Sequence, residues 1–142
     1  MSDAQLFQYA NSAALLSWIA LVVQPKRVAP LLRFVLPAAF AVLYIWALVT
    51  APSNPDGGFG SLAQVKALFL SDRAVLAGWV HYLAFDLFIG CWEAIDARER
   101  NIPHWLVIPC LVLTFMFGPV GLLTYFALRA AMSRRRAAVP VT

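Results

Sequence analysis

Four apolar runs divide the chain, over residues 6–23, 30–50, 73–97 and 105–131. Polar or helix-breaking residues bound them: Gln24-Pro25-Lys26-Arg27, Ala51-Pro52, Asp72, Arg98-Glu99-Arg100 and the arginines from Arg134 onward. A bilayer core takes about 20 apolar residues in helical form, so each run is long enough to cross. The first and second runs, and the third and fourth, are joined by short connections, which predicts antiparallel neighbours. Between the second and third lies PSNPDGGFG, residues 52–60, a loop by composition. The following SLAQVKALFLS, residues 61–71, repeats Leu62, Val65, Leu68 and Phe69 at helical spacing. It is too short to span. It is expected to be an amphipathic helix at the interface or re-entering it, with an ordinary loop helix as the alternative. The expected fold is all-α and integral to the membrane: one domain over residues 1–142, four transmembrane helices in an antiparallel bundle, a short interfacial or re-entrant helix between the second and third, and a basic tail over 132–142.

The third run breaks the apolar pattern. WVHYLAFDLFIGCWEAIDARER, residues 79–100, carries His81, Asp86, Glu93 and Asp96. A helix turns about 100° per residue, so with His81 at zero, Asp96 falls near about 60°, Tyr82 and Arg100 near about 100°, Glu93 near about 120° and Asp86 near about 140°. Phe88, Cys91 and Ile95 fall on the other side. The helix is amphipathic inside the membrane, and its acidic stripe must face protein or water. With the span centred near Phe85, Asp86 sits near the midplane, His81 within about 6 Å of it and Glu93 about 12 Å away. Asp96 is then interfacial, where a solvated helix end with an Asp96–Arg100 pair is the simpler reading. A carboxylate at the midplane is costly enough that function is its default explanation.

The chemistry suited to this set is proton transfer. A buried carboxyl can hold a proton at neutral pH while a neighbouring His or second carboxylate accepts one. His81 to Glu93 spans about 18 Å, too far for one metal site on this helix. A weak metal alternative joins Glu93, Asp96 and His104 if the turn after the third helix folds back, but no HxxxH or ExxH spacing supports it. No cofactor is expected. In the fourth run Thr114, Gly118, Gly121 and Tyr125 share a face, the glycines permit close backbone approach, and Pro119 should kink the helix. This face could form the wall of a cavity or a packing notch. Asn11, near the start of the first helix, could hydrogen-bond the carboxylates or cap the helix.

Composition agrees with the pattern. Hydrophobic residues make up 62% of the 142 residues and charged residues 13%, against about half and about a quarter in a soluble domain. The net charge of +4 includes Arg134, Arg135 and Arg136, read as an anchor on anionic headgroups and not as a nucleic-acid site. Cys91 and Cys110 match no metal or redox spacing. No basic cluster precedes the first run and no clear cleavage site follows it, so that run is expected to be retained as a membrane helix. For a four-span bundle, Lys26, Arg27, Arg33, Arg98 and Arg100 fall on one side and Lys66, Arg73, Arg129 and the tail arginines on the other. That distribution does not orient the protein, although the tail favours cytoplasmic termini.

The residues HYLAFDLF (81–88), Gly90-x-Trp92, Asp96-x-Arg98-Glu99-Arg100, His104 and Phe117-Gly118-Pro119-x-Gly121 together resemble the abscisic-acid-deficient-4-like membrane family of plants and bacteria, associated with neoxanthin synthesis. The resemblance covers most of the chain and is densest from Trp79 to Arg129. It implies an isomerase converting an epoxide to an allene, with an acid at the epoxide oxygen and a base at a neighbouring carbon. The expected catalytic residues are His81, Asp86 and Glu93. The expected substrate-binding residues are Asn11, Tyr82, Asp96, Arg98, His104, Gly118 and Tyr125. The short chain has no plastid transit extension, so a bacterial inner membrane is the expected location, and the substrate is a carotenoid or a related isoprenoid. Two further functions compete with the isomerase. One is a non-catalytic protein that binds such a lipid or supports a pigment-synthesis assembly. The other is a small proton-coupled carrier, which would require a homo-oligomer.

Overall fold

The computed structural model describes residues 1–137, with side chains to Arg134. Among the described residues all regular structure is helical: α1 (Asp3–Val23), α2 (Pro25–Thr50), α3 (Leu62–Leu68), α4 (Asp72–Glu99), α5 (His104–Phe117) and α6 (Pro119–Ala137). Three of them, α1, α2 and α4, are long and apolar enough to cross a membrane, and α5 is a shorter apolar helix. Large apolar side chains such as Leu16, Ile19, Leu31, Phe34, Val42, Ile45, Phe85 and Phe88 are exposed on the outer faces of these helices. Such a surface suits hydrocarbon, not water. The protein has the helices of an integral membrane protein.

Local signals explain the boundaries. Pro25 stands at the first position of α2, where its missing N–H costs no bond. Ser61 caps α3 by accepting the Gln64 N–H at 3.2 Å. Asn101, with a φ of 50°, ends α4, and the Ile102 N–H returns to the Ala97 carbonyl at 2.8 Å. The α2 helix begins at Pro25 and not near residue 30, because Pro25-Lys26-Arg27 is itself helical.

The run 105–131, expected as a single helix, is two helices. Gly118 adopts a φ of 46° between them, a conformation that side chains resist, and Pro119 starts α6. More than a kink results. Thr114 of α5 contacts Glu93, Gly118 lies against Asp86, and Tyr125 of α6 contacts Asp96. Further along, Arg129, Met132 and Ser133 share a small cleft with Arg100 and Ile102. Thus α5 follows α4 backward from its C-terminal end and α6 retraces the path. The two form an antiparallel helical hairpin. Gly121 makes the reversal possible, since a Cβ there would overlap the backbone and hydroxyl of Thr114.

The residues form two compact units. The first comprises Met1–Leu15 and Val35–Phe85. Its core holds Ala10, Ala14, Phe40, Leu76, Val80, Leu83 and Ala84. Arg73 bonds Asp3 at 2.8 Å and Thr50 at 2.8 Å, tying together the ends of α1, α2 and α4 within this unit. The second comprises Leu16–Phe34 and the chain from Asp86 onward. Trp18 packs where a Cβ on Gly90 would be, and Leu21, Leu87, Cys91, Val107, Leu111 and Tyr125 are fully buried. The basic residues divide unevenly. Lys66 and Arg73 belong to the first unit, and the other nine of the 11 Lys and Arg belong to the second. Arg129 meets the α4 end beside Arg100, not the opposite end as a continuous fourth helix requires.

Candidate functional site

The helical angles computed for α4 place Asp86, Glu93 and Asp96 on one face, and the hairpin covers that face. Glu93 is fully buried. The Thr114 hydroxyl donates to its carboxylate, 2.9 Å from Oε1 and 3.2 Å from Oε2. Thr114 is itself fully buried. Three residues further along α4, Asp96 is 8% exposed. It accepts the Tyr125 hydroxyl hydrogen at 2.6 Å and the Arg100 Nε hydrogen at 2.9 and 3.0 Å. Arg129 Nε is 3.3 Å away. Two guanidinium groups and a phenol offset the carboxylate charge, as a buried acid requires. The Tyr125 ring is fixed edge-on to Trp92.

Asp86 lies at the hairpin tip. A Cβ on Gly118 would sit 3.0 and 3.1 Å from its two carboxylate oxygens. The missing side chain at 118 is therefore the space into which the carboxylate fits. Seven positions, about 10.5 Å along the helix axis, separate Asp86 from Glu93 on the same face of α4. The arrangement is a ladder of three acids with three kinds of cover: backbone at Asp86, a hydroxyl at Glu93, cations and a phenol at Asp96. Chemically, Asp96 is a pinned anion. Glu93 makes no ion pair among the described residues and is held by a neutral hydroxyl, which suits it to exchanging a proton; Asp86, on the same face, is the second carboxyl group under the hairpin.

The residues expected from sequence separate into the two units. Asp86, Glu93, Asp96, Gly118 and Tyr125 come together in the second. Arg98 is exposed, and His104 is held by its Nε2, 2.8 Å from the Val22 carbonyl oxygen. A carbonyl only accepts, so Nε2 carries the proton. Glu93, Asp96 and His104 do not assemble into a ligand set, and no group of three or more His, Cys, Asp or Glu suited to a metal occurs among the described residues. In the first unit, His81 is exposed, stacked on Phe85 with ring centres 4.6 Å apart and 5.5 Å from Tyr44. Asn11 accepts the Trp79 indole hydrogen at 2.7 Å, and Tyr82 packs on Trp79.

Thr114, Arg100 and Arg129 were missed as site residues. The shared face of Thr114, Gly118, Gly121 and Tyr125 was the available signal, because all four line the hairpin side that meets α4. Nothing in the spacing linked Arg129 to Asp96, since 33 positions and a chain reversal separate them.

The family model described as ABA4-like, ABA DEFICIENT 4-like, matches residues 5–125. No curated protein and no solved structure matches the chain. The matched span runs from α1 to Tyr125 and includes Asp86, Glu93, Thr114, Gly118 and Gly121.

Proposed function

The chain belongs to the ABA DEFICIENT 4-like family, and we propose that it is a membrane-embedded isomerase of a carotenoid or related isoprenoid. Membership links the chain to carotenoid and neoxanthin-related processes. The observation that carries the reading to chemistry is the pair Asp86 and Glu93, two carboxyl groups on one face of α4 under the α5–α6 hairpin. A pair holding one proton can act as acid and base together. The protonated carboxyl donates to an epoxide oxygen as the C–O bond breaks. The ionised carboxylate takes a proton from a neighbouring carbon, and that C–H electron pair forms the new double bond. One proton enters the substrate and one leaves, so no oxidant or reductant is needed. Thr114 orients Glu93, and Asp96 with Tyr125, Arg100 and Arg129 locks the hairpin to α4.

The same hairpin sets the membrane topology in this proposal. The α1, α2 and α4 helices span, whereas α5 and α6 enter and leave by one face, so three crossings replace the four expected. Opposite ends of a spanning helix lie on opposite faces. With three crossings, the segment 24–33 and the chain after residue 97 share one face and the 51–73 segment takes the other, so Lys66 and Arg73 are set apart from the other nine Lys and Arg. The positive-inside rule puts the nine in the cytoplasm. The N-terminus and the 51–71 connection face the other way, and an inner bacterial membrane fits this arrangement.

A second reading is a non-catalytic lipid binder. It is favoured by the complete burial of Glu93, since an enzyme must open the hairpin for substrate and a binder need not. Both readings are tested by expressing wild type, Asp86→Asn and Glu93→Gln in a host making epoxy-carotenoids, and analysing pigments by chromatography and mass spectrometry. The isomerase predicts a new pigment of unchanged mass with wild type, and none with either variant at equal protein yield. Pigment that co-purifies unaltered with all three forms would establish the binder instead.

A further inference from the structure

The second unit contains a cleft of about 360 Å³ with no part in the acidic stripe. Lys26, Arg98 and His104 line it, with Asn101, Ile95 and Ile102. A neighbouring cleft of about 500 Å³ shares Pro25, Lys26 and His104 and adds Arg27. No Asp or Glu lines either cleft among the described residues. Among the described residues Lys26, Arg27 and Arg98 make no ion pair, whereas Arg73, Arg100 and Arg129 each reach an aspartate. The cleft therefore combines uncompensated positive charge with apolar walls. The cleft also lies beside the start of α5, whose first turn has no acidic residue and whose cap, Pro103, offers no side-chain acceptor. The positive end of that helix dipole adds to the potential. The His104 bond to Val22 ties the start of α5 to the end of α1 beside the cleft.

An anion alone would use the charges and leave the half-buried Ile95 side of the cleft unfilled. An apolar tail alone would leave Lys26 and Arg98 idle. We propose that this cleft seats the phosphate headgroup of an anionic membrane lipid, with Lys26, Arg27 and Arg98 on the phosphate and an acyl chain leaving along Ile95. The site is independent of isomerase chemistry. Arg98 and His104, expected from sequence at the mouth of a substrate site, serve here to hold a lipid against the ends of α1, α2, α4 and α5.

The test is native mass spectrometry of the full chain in detergent, titrated with phosphatidylglycerol, phosphatidylcholine or inorganic phosphate. Phosphatidylglycerol should be retained in a one-to-one complex and phosphatidylcholine should not. Lys26→Gln with Arg98→Gln should weaken retention by about tenfold or more, whereas Lys66→Gln with Arg134→Gln, which removes equal charge elsewhere, should change it by less than about twofold. The charge-conserving pair Lys26→Arg with Arg98→Lys should retain the lipid, which separates lost binding from lost folding. Equal loss in the two Gln pairs would overturn the site in favour of diffuse surface charge. Inorganic phosphate binding as tightly as the lipid, with the same dependence on Lys26 and Arg98, would overturn the lipid assignment.

Discussion

The Thr114 hydroxyl donates to the Glu93 carboxylate at 2.9 Å, between two fully buried side chains. This bond joins α5 to α4 where neither water nor lipid can substitute for it. A buried acceptor that loses its donor costs about 1–3 kcal/mol. Thr114→Val keeps the shape and removes the hydroxyl, so it should destabilise the protein by about that amount, read as a lower melting temperature in detergent. Thr114→Ser should recover most of the loss. Equal destabilisation by Ser and Val would show that the methyl, not the hydroxyl, matters.

Tyr125 and Asp96 pair at 2.6 Å within a cluster that includes Arg100 and Arg129. Hydrogen bonds to charged groups are worth about 1.5–3 kcal/mol. Tyr125→Phe should cost the lower end of that range, because two guanidinium groups still neutralise Asp96. Asp96→Asn should cost more, since it leaves Arg100 and Arg129 facing each other without an anion. Thermal unfolding of the two variants side by side checks the order.

At the hairpin tip, Gly118→Ala meets two obstacles. The backbone is at a positive φ, which costs a side chain about 1–2 kcal/mol, and the new methyl group would stand 3.0 Å from the Asp86 carboxylate. Gly121→Leu is harsher, because its side chain would overlap Thr114. The expected outcome is a folded but weakened Gly118→Ala and a Gly121→Leu that fails to accumulate. Both are read by yield and by elution profile in detergent.

The proposed three-crossing topology is open to cysteine labelling. Cys91 and Cys110 are free and buried, so a background with both replaced by alanine is practical. Single cysteines at Asn101, Ser133 and Asp56 are then probed with a membrane-impermeant maleimide in intact cells and in inverted vesicles. Asn101→Cys and Ser133→Cys should be labelled from the same, cytoplasmic face, and Asp56→Cys from the other. Labelling of Ser133→Cys together with Asp56→Cys would restore a fourth crossing.

Several features of this protein are local and were legible in the chain itself. Apolar runs of spanning length predict membrane helices, because hydrocarbon demands internally satisfied backbone bonds over that length. The shared face of Asp86, Glu93 and Asp96 follows from helical rotation alone. The break at Gly118-Pro119 was visible too, as a kink. Its size was not. Whether a break bends a helix or reverses it depends on contacts far away in sequence: Gly121 against Thr114, Thr114 on Glu93, Tyr125 and Arg129 on Asp96. Those contacts exist only once α4 is beside the hairpin, so only the tertiary structure decided that α6 returns. The return also changes what the charges mean. The same 11 basic residues are nearly balanced for a continuous fourth helix and strongly one-sided for a hairpin, because charge asymmetry is a property of where the chain ends go and not of composition.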